Sequence, residues 1–154
     1  MIAMPSLPES RLVLHSEFTE LDRLAGWIEG WTQRSALSAD VSFAMALCLE
    51  EAVANVIMYG GTEDDRLEIT VEVEHNAGTS VVRIEDNGRQ FDPTQVPSPP
   101  VAASLEEAKI GSVGVHLMRS FASGMHYERR NGRNRLTLRF RESEATSKPS
   151  GSRQ

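Results

Sequence analysis

Apolar residues recur along the chain with two different periods, one typical of strands and one typical of helices. Alternation of apolar and polar residues predicts strands at 11–15, 66–74, 80–88, 125–130 and 133–140. Spacings of three and four residues predict helices that begin after Thr19, after Ser38 and at Val113. This order of elements predicts an α+β two-layer sandwich, in which helices cover one face of a mixed, mostly antiparallel sheet.

Turn and loop signals set the limits of these elements. Asn76-Ala77-Gly78 and Asn131-Gly132 predict two hairpin turns. Residues 92–110 contain four prolines, and a loop of this length inside a compact domain is usually functional or disordered. The segments expected from these boundaries are a flexible arm at 1–9, a single domain at 10–141 and a polar, disordered tail at 142–154.

Composition limits the classes of function. The formal net charge is −6, which argues against non-specific binding to nucleic acid, because such binding needs an excess of Lys and Arg. The single cysteine, Cys48, can form no disulfide within the chain, and no apolar run is long enough to predict a membrane helix. The first residues lack the basic and apolar regions of a signal peptide, so we expect a cytoplasmic protein.

The helix predicted after Ser38 carries acids and an amide within an apolar run, LEEAVANVIMYGG. Glu51 and Asn55 are four residues apart and lie on one helix face, whereas Glu50 is rotated away by about 100°. A carboxylate can act as a general base, and an amide oxygen suits a hard cation such as Mg²⁺. The alternative from spacing alone is a solvated helix edge.

Asp86 stands at the end of a predicted strand. It shares the parity of the apolar residues Val82 and Ile84, so it should point toward the helices. A carboxylate in that position needs a donor, and the exocyclic amine of a purine is one. Asn87-Gly88 follow directly and would let a flat ligand approach the backbone, although the same residues also suit an ordinary turn.

The stretch GSVG, from Gly111 to Gly114, opens the third predicted helix after the long loop. Free backbone N–H groups at a helix start attract phosphate, and small residues permit close approach. The stretch lacks the Lys and Ser/Thr of a P-loop, and no strand leads directly into it as in a dinucleotide-binding fingerprint. Alone it is a weak signal.

Together and in this order, EEAVAN, EDNG, a long loop and GSVGVHLMRSF resemble the N, G1 and G2 boxes of the GHKL, or histidine-kinase-like, ATPases. The stand-alone length and the ending YERRNGRNRLTL are similar to the anti-sigma-factor serine/threonine kinases of bacterial partner-switching systems. The resemblance covers about residues 10–141.

The resemblance implies a site for ATP and Mg²⁺. In that site Glu51 is the general base, and Asn55 binds ATP by ligating the Mg²⁺ that bridges its phosphates. Asp86 accepts a hydrogen bond from the adenine amine, and Gly88 shapes the adenine pocket. The remaining implied ATP-binding residues are Gly111, Ser112 and Gly114 at the phosphates, with residues 92–110 as the ATP lid.

Three positions depart from the family pattern. Gln90 stands where the G1 box commonly has its second glycine, and Ser112 replaces a glycine that is common in the G2 box. The small hydroxyl residue that is usual near adenine on the last strand is not evident. Asn134 is the expected substitute, because it shares the parity of Leu136 and Leu138. None of these changes removes the base or the metal ligand.

The function implied by the resemblance is that of an Mg²⁺-ATP-dependent protein serine/threonine kinase. Such a kinase phosphorylates a STAS-domain anti-anti-sigma protein and sequesters a sigma factor or another target, and a homodimer is also implied, without nucleic-acid or membrane partners. The alternative is a GHKL-fold regulatory module that binds nucleotide or protein without transferring phosphate. Arg129, Arg130, Arg133 and Arg135 of the last hairpin are either a solvated edge or a surface for an acidic partner.

Overall fold

The structure is a computed structural model, and it describes residues 10–62, 64–97 and 112–143. The predictions for the arm at 1–9, for Gly111 and for most of the lid and the tail lie outside these ranges.

Five strands form one sheet. They are β1 (Arg11–His15), β2 (Glu68–Asn76), β3 (Thr79–Asp86), β4 (Gly124–Arg130) and β5 (Arg133–Arg141). Their spatial order is β1-β2-β3-β5-β4, and all four pairings are antiparallel. The predicted α+β two-layer sandwich is confirmed, and the sheet is antiparallel throughout its described strands.

The helical layer consists of α1 (Glu20–Arg34), α2 (Ala39–Tyr59) and α3 (Ser112–Phe121). Ser38 caps α2, because its hydroxyl accepts a hydrogen bond from the N–H of Val41 (3.2 Å). Thr19 precedes α1 but makes no side-chain cap bond, so its predicted capping role is wrong. The carboxylate of Glu20 instead accepts from the backbone N–H of His15 (2.9 Å), which ties the start of α1 to the end of β1.

Among the described helices, α2 alone is long and apolar enough in composition to cross a membrane, with a mean hydropathy of 1.6. In the fold it is the central helix, in contact with both α1 and α3. Its buried side contributes Met45, Leu49 and Val53 to the core, which also contains inward strand residues such as Ile69 and Leu138.

Two tight hairpin turns join β2 to β3 and β4 to β5. The central residues of both turns have positive φ angles, at 54° and 81° for Ala77 and Gly78 and at 55° and 76° for Asn131 and Gly132. Positive φ at both positions is the type I′ geometry that suits the twist of antiparallel strands. The pairing of β3 with β5, which no turn joins, completes the sheet, so that Asp86 of β3 lies between Ile69 of β2 and Asn134 of β5.

Candidate functional site

Three side chains one turn apart on α2 form a ridge: Glu51, Asn55 and Tyr59. Asn55 is only 6% exposed, and within the described residues neither its Nδ2 nor the hydroxyl of Tyr59 has a hydrogen-bond partner, although both atoms are buried. A buried polar group without a partner costs about 1–3 kcal/mol. Asn55 lines the pocket described below, where its Nδ2 is free to donate to a ligand, whereas Tyr59 is not among the residues that line it. The sequence signal for Tyr59 was its spacing of four from Asn55.

The first residue of this ridge lies against the start of α3. A Cβ atom added at Gly114 would collide with a carboxylate oxygen of Glu51. Burial raises the pKa of Glu51, and the charge of the neighbouring Glu50 adds to the rise. Gly114 is in the first turn of α3, where backbone N–H groups lack partners within the helix. The structure thus brings Glu51 next to the segment predicted to bind phosphate. The helix begins at Ser112, whose side chain lies outside the described part.

Asp86 points toward the helices, as its parity predicts, and is 5% exposed. One carboxylate oxygen, Oδ1, accepts from the backbone N–H of Gly88 (2.8 Å) and from the amide of Asn134 (2.9 Å). Within the described residues no hydrogen bond reaches Oδ2. Burial raises the pKa of Asp86, while those two hydrogen bonds and the charge of Arg129 oppose the rise.

Asn134 is the centre of a hydrogen-bond network behind Asp86. Its amide nitrogen also donates to the carbonyl oxygen of Arg89 (2.8 Å), so both of its N–H groups are used. Its oxygen accepts from the hydroxyl of Tyr127 (2.5 Å), from Arg129 (3.1 Å) and from the backbone of Phe91 (3.3 Å). Asn134 therefore lies at the predicted pocket, but its bonds suit it to hold Asp86 in place more than to contact a ligand.

Gly88 lies in the turn after β3, which is in close contact with the residues that end α2. An added Cβ atom would stand 2.7 Å from the carbonyl oxygen of Gly60, which also accepts from the N–H of Arg89 (2.7 Å). A side chain at position 88 would force these two segments apart. The requirement for glycine is therefore structural, and it keeps the backbone of this turn close to Asp86.

A pocket lies between α2, β3 and β5, and both Asn55 and Asp86 line it. Its other walls include the apolar side chains of Val56, Ile84 and Met118. The cavity is about 30 Å³, which is room for one water molecule. The polar groups and apolar walls suit a purine, but the cavity is too small to hold one without a rearrangement of its lining.

Two arginines at the site were not predicted as site residues. Arg129 donates to the carbonyl oxygen of Gly88 (2.9 Å), so it belongs to the network behind Asp86. Arg119 on α3 donates to the carbonyl oxygens of Pro93 and Thr94 (both 3.1 Å), and it holds the first residues of the long loop against α3. The other hairpin arginines form ion pairs on the outer face of the sheet: Arg130 and Arg135 with Glu128, and Arg133 with Glu85.

The antiparallel sheet covered by helices, with Asn55 and Asp86 at one pocket and Glu51 one turn before Asn55 on α2, is typical of a family of nucleotide-binding domains. Residues 14–140 match the family model of the histidine kinase-like ATPase domain, and the chain belongs to that family. The predicted membership of the GHKL, or histidine-kinase-like, ATPases is thereby confirmed, and ATP is the nucleotide that such a domain binds.

Two known proteins illustrate the relationship. The chain is 38% identical to the serine/threonine-protein kinase BtrW of Bordetella bronchiseptica over 112 residues, which are 73% of this chain and 79% of BtrW. It is also similar to the histidine kinase domain of a blue-light activated histidine kinase from Erythrobacter litoralis, with a TM-score of 0.52 over 84% of this chain and 62% of that structure. At 16% identity the second likeness shows the fold alone.

Proposed function

We propose that the protein is an Mg²⁺-ATP-dependent protein serine/threonine kinase and an anti-sigma-type switch protein of the cytoplasm. It would phosphorylate a STAS-domain anti-anti-sigma protein and sequester a sigma factor or another target, as a homodimer. The observation that carries the proposal is the ridge of Glu51 and Asn55, which joins the start of α3 to the pocket of Asp86. The similarity to BtrW supports the choice of a serine/threonine kinase within the family.

In the adenine pocket, Oδ2 of Asp86 would accept a hydrogen bond from the exocyclic amine. Asn134 would position that carboxylate, and Gly88 would keep the neighbouring backbone close. A buried, preorganised acceptor of this kind discriminates strongly between bases, because a base without the amine would leave it unpaired.

At the phosphates, the side-chain oxygen of Asn55 would ligate Mg²⁺, which neutralises phosphate charge when it is bound. The parts of the chain that the structure describes contain no cluster of three or more His, Cys, Asp or Glu side chains. Such a site would therefore take few protein ligands and would rely on water and phosphate oxygens, as Mg²⁺ commonly does. Gly111, Ser112 and Gly114 would line the phosphates, and residues 92–110 would close over them as a lid.

Glu51 would act as the general base in phosphoryl transfer. The hydroxyl oxygen of the acceptor serine or threonine bonds to the γ-phosphorus, the bond from that phosphorus to the β-phosphate oxygen breaks, and the hydroxyl proton passes to the carboxylate of Glu51. A raised pKa strengthens this carboxylate as a base, because its pKa lies closer to the operating pH.

The test is incubation with Mg²⁺-ATP and the STAS-domain proteins of the same genome, read by mass spectrometry of the acceptor. We expect phosphate on a serine or threonine of one of them. Glu51→Ala should lower the transfer rate by roughly 10²–10⁴-fold while ATP still binds. The control is Asp40→Ala, which removes an exposed carboxylate from the same helix. Near wild-type transfer by the Glu51 variant would overturn the assignment of the base.

The departures from the family pattern at Gln90 and Ser112 favour a second candidate, a regulatory module that binds nucleotide or protein without transferring phosphate. Binding of ATP by calorimetry, with no phosphorylation of any STAS-domain protein, would establish this alternative in place of the kinase.

A further inference from the structure

A groove of about 320 Å³ runs between α1 and α2, and no part of the proposed nucleotide site lines it. Its walls combine buried and exposed apolar side chains, including those of Leu21, Ile28, Phe43 and Ala46. The α1 residues that face it recur from Leu21 to Thr32 at helical spacing, which corresponds to about 16 Å, or three helical turns. A groove of this length between two helices matches about three turns of a further helix.

Phe43 stands at the edge of this groove and is 60% exposed. Its ring contacts Phe121 of α3 edge to face, with 5.8 Å between the ring centroids, so it is held in a defined position and still presents its surface to solvent. An aromatic ring that is both fixed and exposed at an apolar groove is typical of the anchor residues of protein interfaces.

Two carboxylates, Glu29 and Glu50, also line the groove and are exposed. No hydrogen bond or ion pair within the described ranges engages either of them. On the outer face of the sheet, by contrast, Glu72, Glu74 and Glu85 pair with arginines. The groove therefore has apolar walls and two negative charges, those of Glu29 and Glu50. Among the described residues, no cation forms an ion pair with either carboxylate.

We propose that this groove binds an amphipathic helix of a partner protein, with an apolar stripe that packs beside Phe43 and Lys or Arg residues that meet Glu29 and Glu50. A second copy of the chain fits less well, because a two-fold contact through this face brings the same acidic groove to both sides. The inference is independent of the proposed kinase function, since binding here requires neither ATP nor Glu51.

The experiment uses the full chain without nucleotide and a fluorescein-labelled 15-residue peptide of Leu and Lys, with the Leu residues at helical spacing. The control peptide has the same composition in an order without an apolar stripe. We expect the first peptide to bind at least tenfold more tightly by fluorescence anisotropy. Tight binding of the control peptide would overturn the proposal, because charge alone would then explain the contact.

Matched variants separate the groove from the rest of the surface. Phe43→Ala should weaken binding at least tenfold, whereas Phe18→Ala removes an equally exposed ring outside the groove and should change it less than twofold. The double variant Glu29→Gln/Glu50→Gln should also weaken binding at least tenfold. Its control is Asp22→Asn, which removes a charge from the exposed side of α1. Equal effects of Phe43→Ala and Phe18→Ala would overturn the proposal.

Sedimentation of the wild-type chain and of Phe43→Ala, both without peptide, tests whether a second copy of the chain occupies the groove instead. We expect the same mass for both. If Phe43→Ala dissociates a dimer that the wild-type chain forms, a second copy occupies the groove and the proposal of a partner helix is wrong.

Discussion

The two carboxylate oxygens of Asp86 have different surroundings. The hydrogen bonds that Gly88 and Asn134 donate to this carboxylate both go to Oδ1. An asparagine at this position can keep both bonds through its own oxygen, and it would place an N–H donor where Oδ2 now stands. Asp86→Asn therefore changes the face offered to a ligand and leaves the supporting network intact.

We expect Asp86→Asn to weaken ATP binding roughly tenfold to hundredfold, since a hydrogen bond to a charged group contributes about 1.5–3 kcal/mol. Because burial raises the pKa of Asp86, the folded state binds its proton more tightly than the unfolded chain does. Protonated Asp86 therefore favours the folded state at low pH. This contribution to stability is lost as the pH rises from about 3.8, the ordinary pKa of Asp, through the raised pKa of Asp86 in the folded state. At pH 7 the variant should be at least as stable as the wild type.

Calorimetry with ATP and thermal unfolding between pH 4 and pH 7 test both parts. As the pH falls, the Tm of the wild type should rise relative to that of Asp86→Asn. Unchanged ATP affinity would remove the adenine role from Asp86, and a large loss of stability at pH 7 would show that the carboxylate is mainly structural.

Asn134, in contrast to Asp86, should matter more for the stability of the fold than for ligand binding. Asn134→Ala removes one of the two hydrogen bonds to the buried Asp86 and the partner of the half-buried Tyr127 hydroxyl, and we expect it to cost about 2–3 kcal/mol of unfolding free energy. For a chain of this size that is a fall in Tm of roughly 5–10 °C. Asn76→Ala, at an exposed amide at the end of β2, is the control. Equal melting temperatures for the two variants would contradict the central role of Asn134.

At the scale of elements, the position of the Glu51 carboxylate against the start of α3 depends on the absence of a side chain at Gly114. The atom that an added Cβ would meet is the flexible end of Glu51, so the carboxylate can rotate away at little cost to the fold. Alanine also favours a helix over glycine by about 1 kcal/mol. Gly114→Ala should therefore keep or raise the Tm while it displaces the proposed base.

The expected result is a rate of phosphoryl transfer that is roughly 10²-fold lower, the effect of a misplacement of about 1 Å. Gly26→Ala on α1 is the matched control, because a Cβ there meets no atom within 4 Å. Single-turnover transfer and thermal unfolding of both variants decide the question. Full activity of Gly114→Ala would show that Glu51 needs no fixed position against α3.

Elements that depend on neighbouring residues were predictable from the sequence, and contacts between distant residues were not. The cap at Ser38 and the turn at Asn131-Gly132 require only a few local atoms, and both are as predicted. Thr19 is the exception among the caps, because its backbone is already helical (φ −63°, ψ −21°), whereas a capping residue is extended.

The candidate site shows the same limit. Parity alone places Asp86 and Asn134 on the inward side of their strands. Their hydrogen bond spans 48 positions and exists only because β3 pairs with β5 in one register. The network through Tyr127 and Arg129, and the narrowness of the pocket, follow from that pairing, which no local pattern determines.

At the scale of the whole molecule, a net charge of −6 opposes the binding of free ATP, which is itself strongly negative. Mg²⁺ should therefore increase the stabilisation that ATP confers. At 100 times its Kd a ligand stabilises the fold by about 2.7 kcal/mol, which is a rise in Tm of roughly 5–10 °C for this chain. We expect that rise with Mg²⁺-ATP and a much smaller one with ATP and EDTA.

Asn55→Ala separates the metal from the general effect of charge. Without ligand this variant should be about as stable as the wild type, because it removes a buried Nδ2 that has no partner within the described residues. With ligand, its melting curves in Mg²⁺-ATP and in ATP with EDTA should coincide, whereas Gln33→Ala, at an exposed amide on α1, should keep the wild-type difference. If Asn55→Ala also keeps that difference, the metal is held elsewhere and the amide has another ligand.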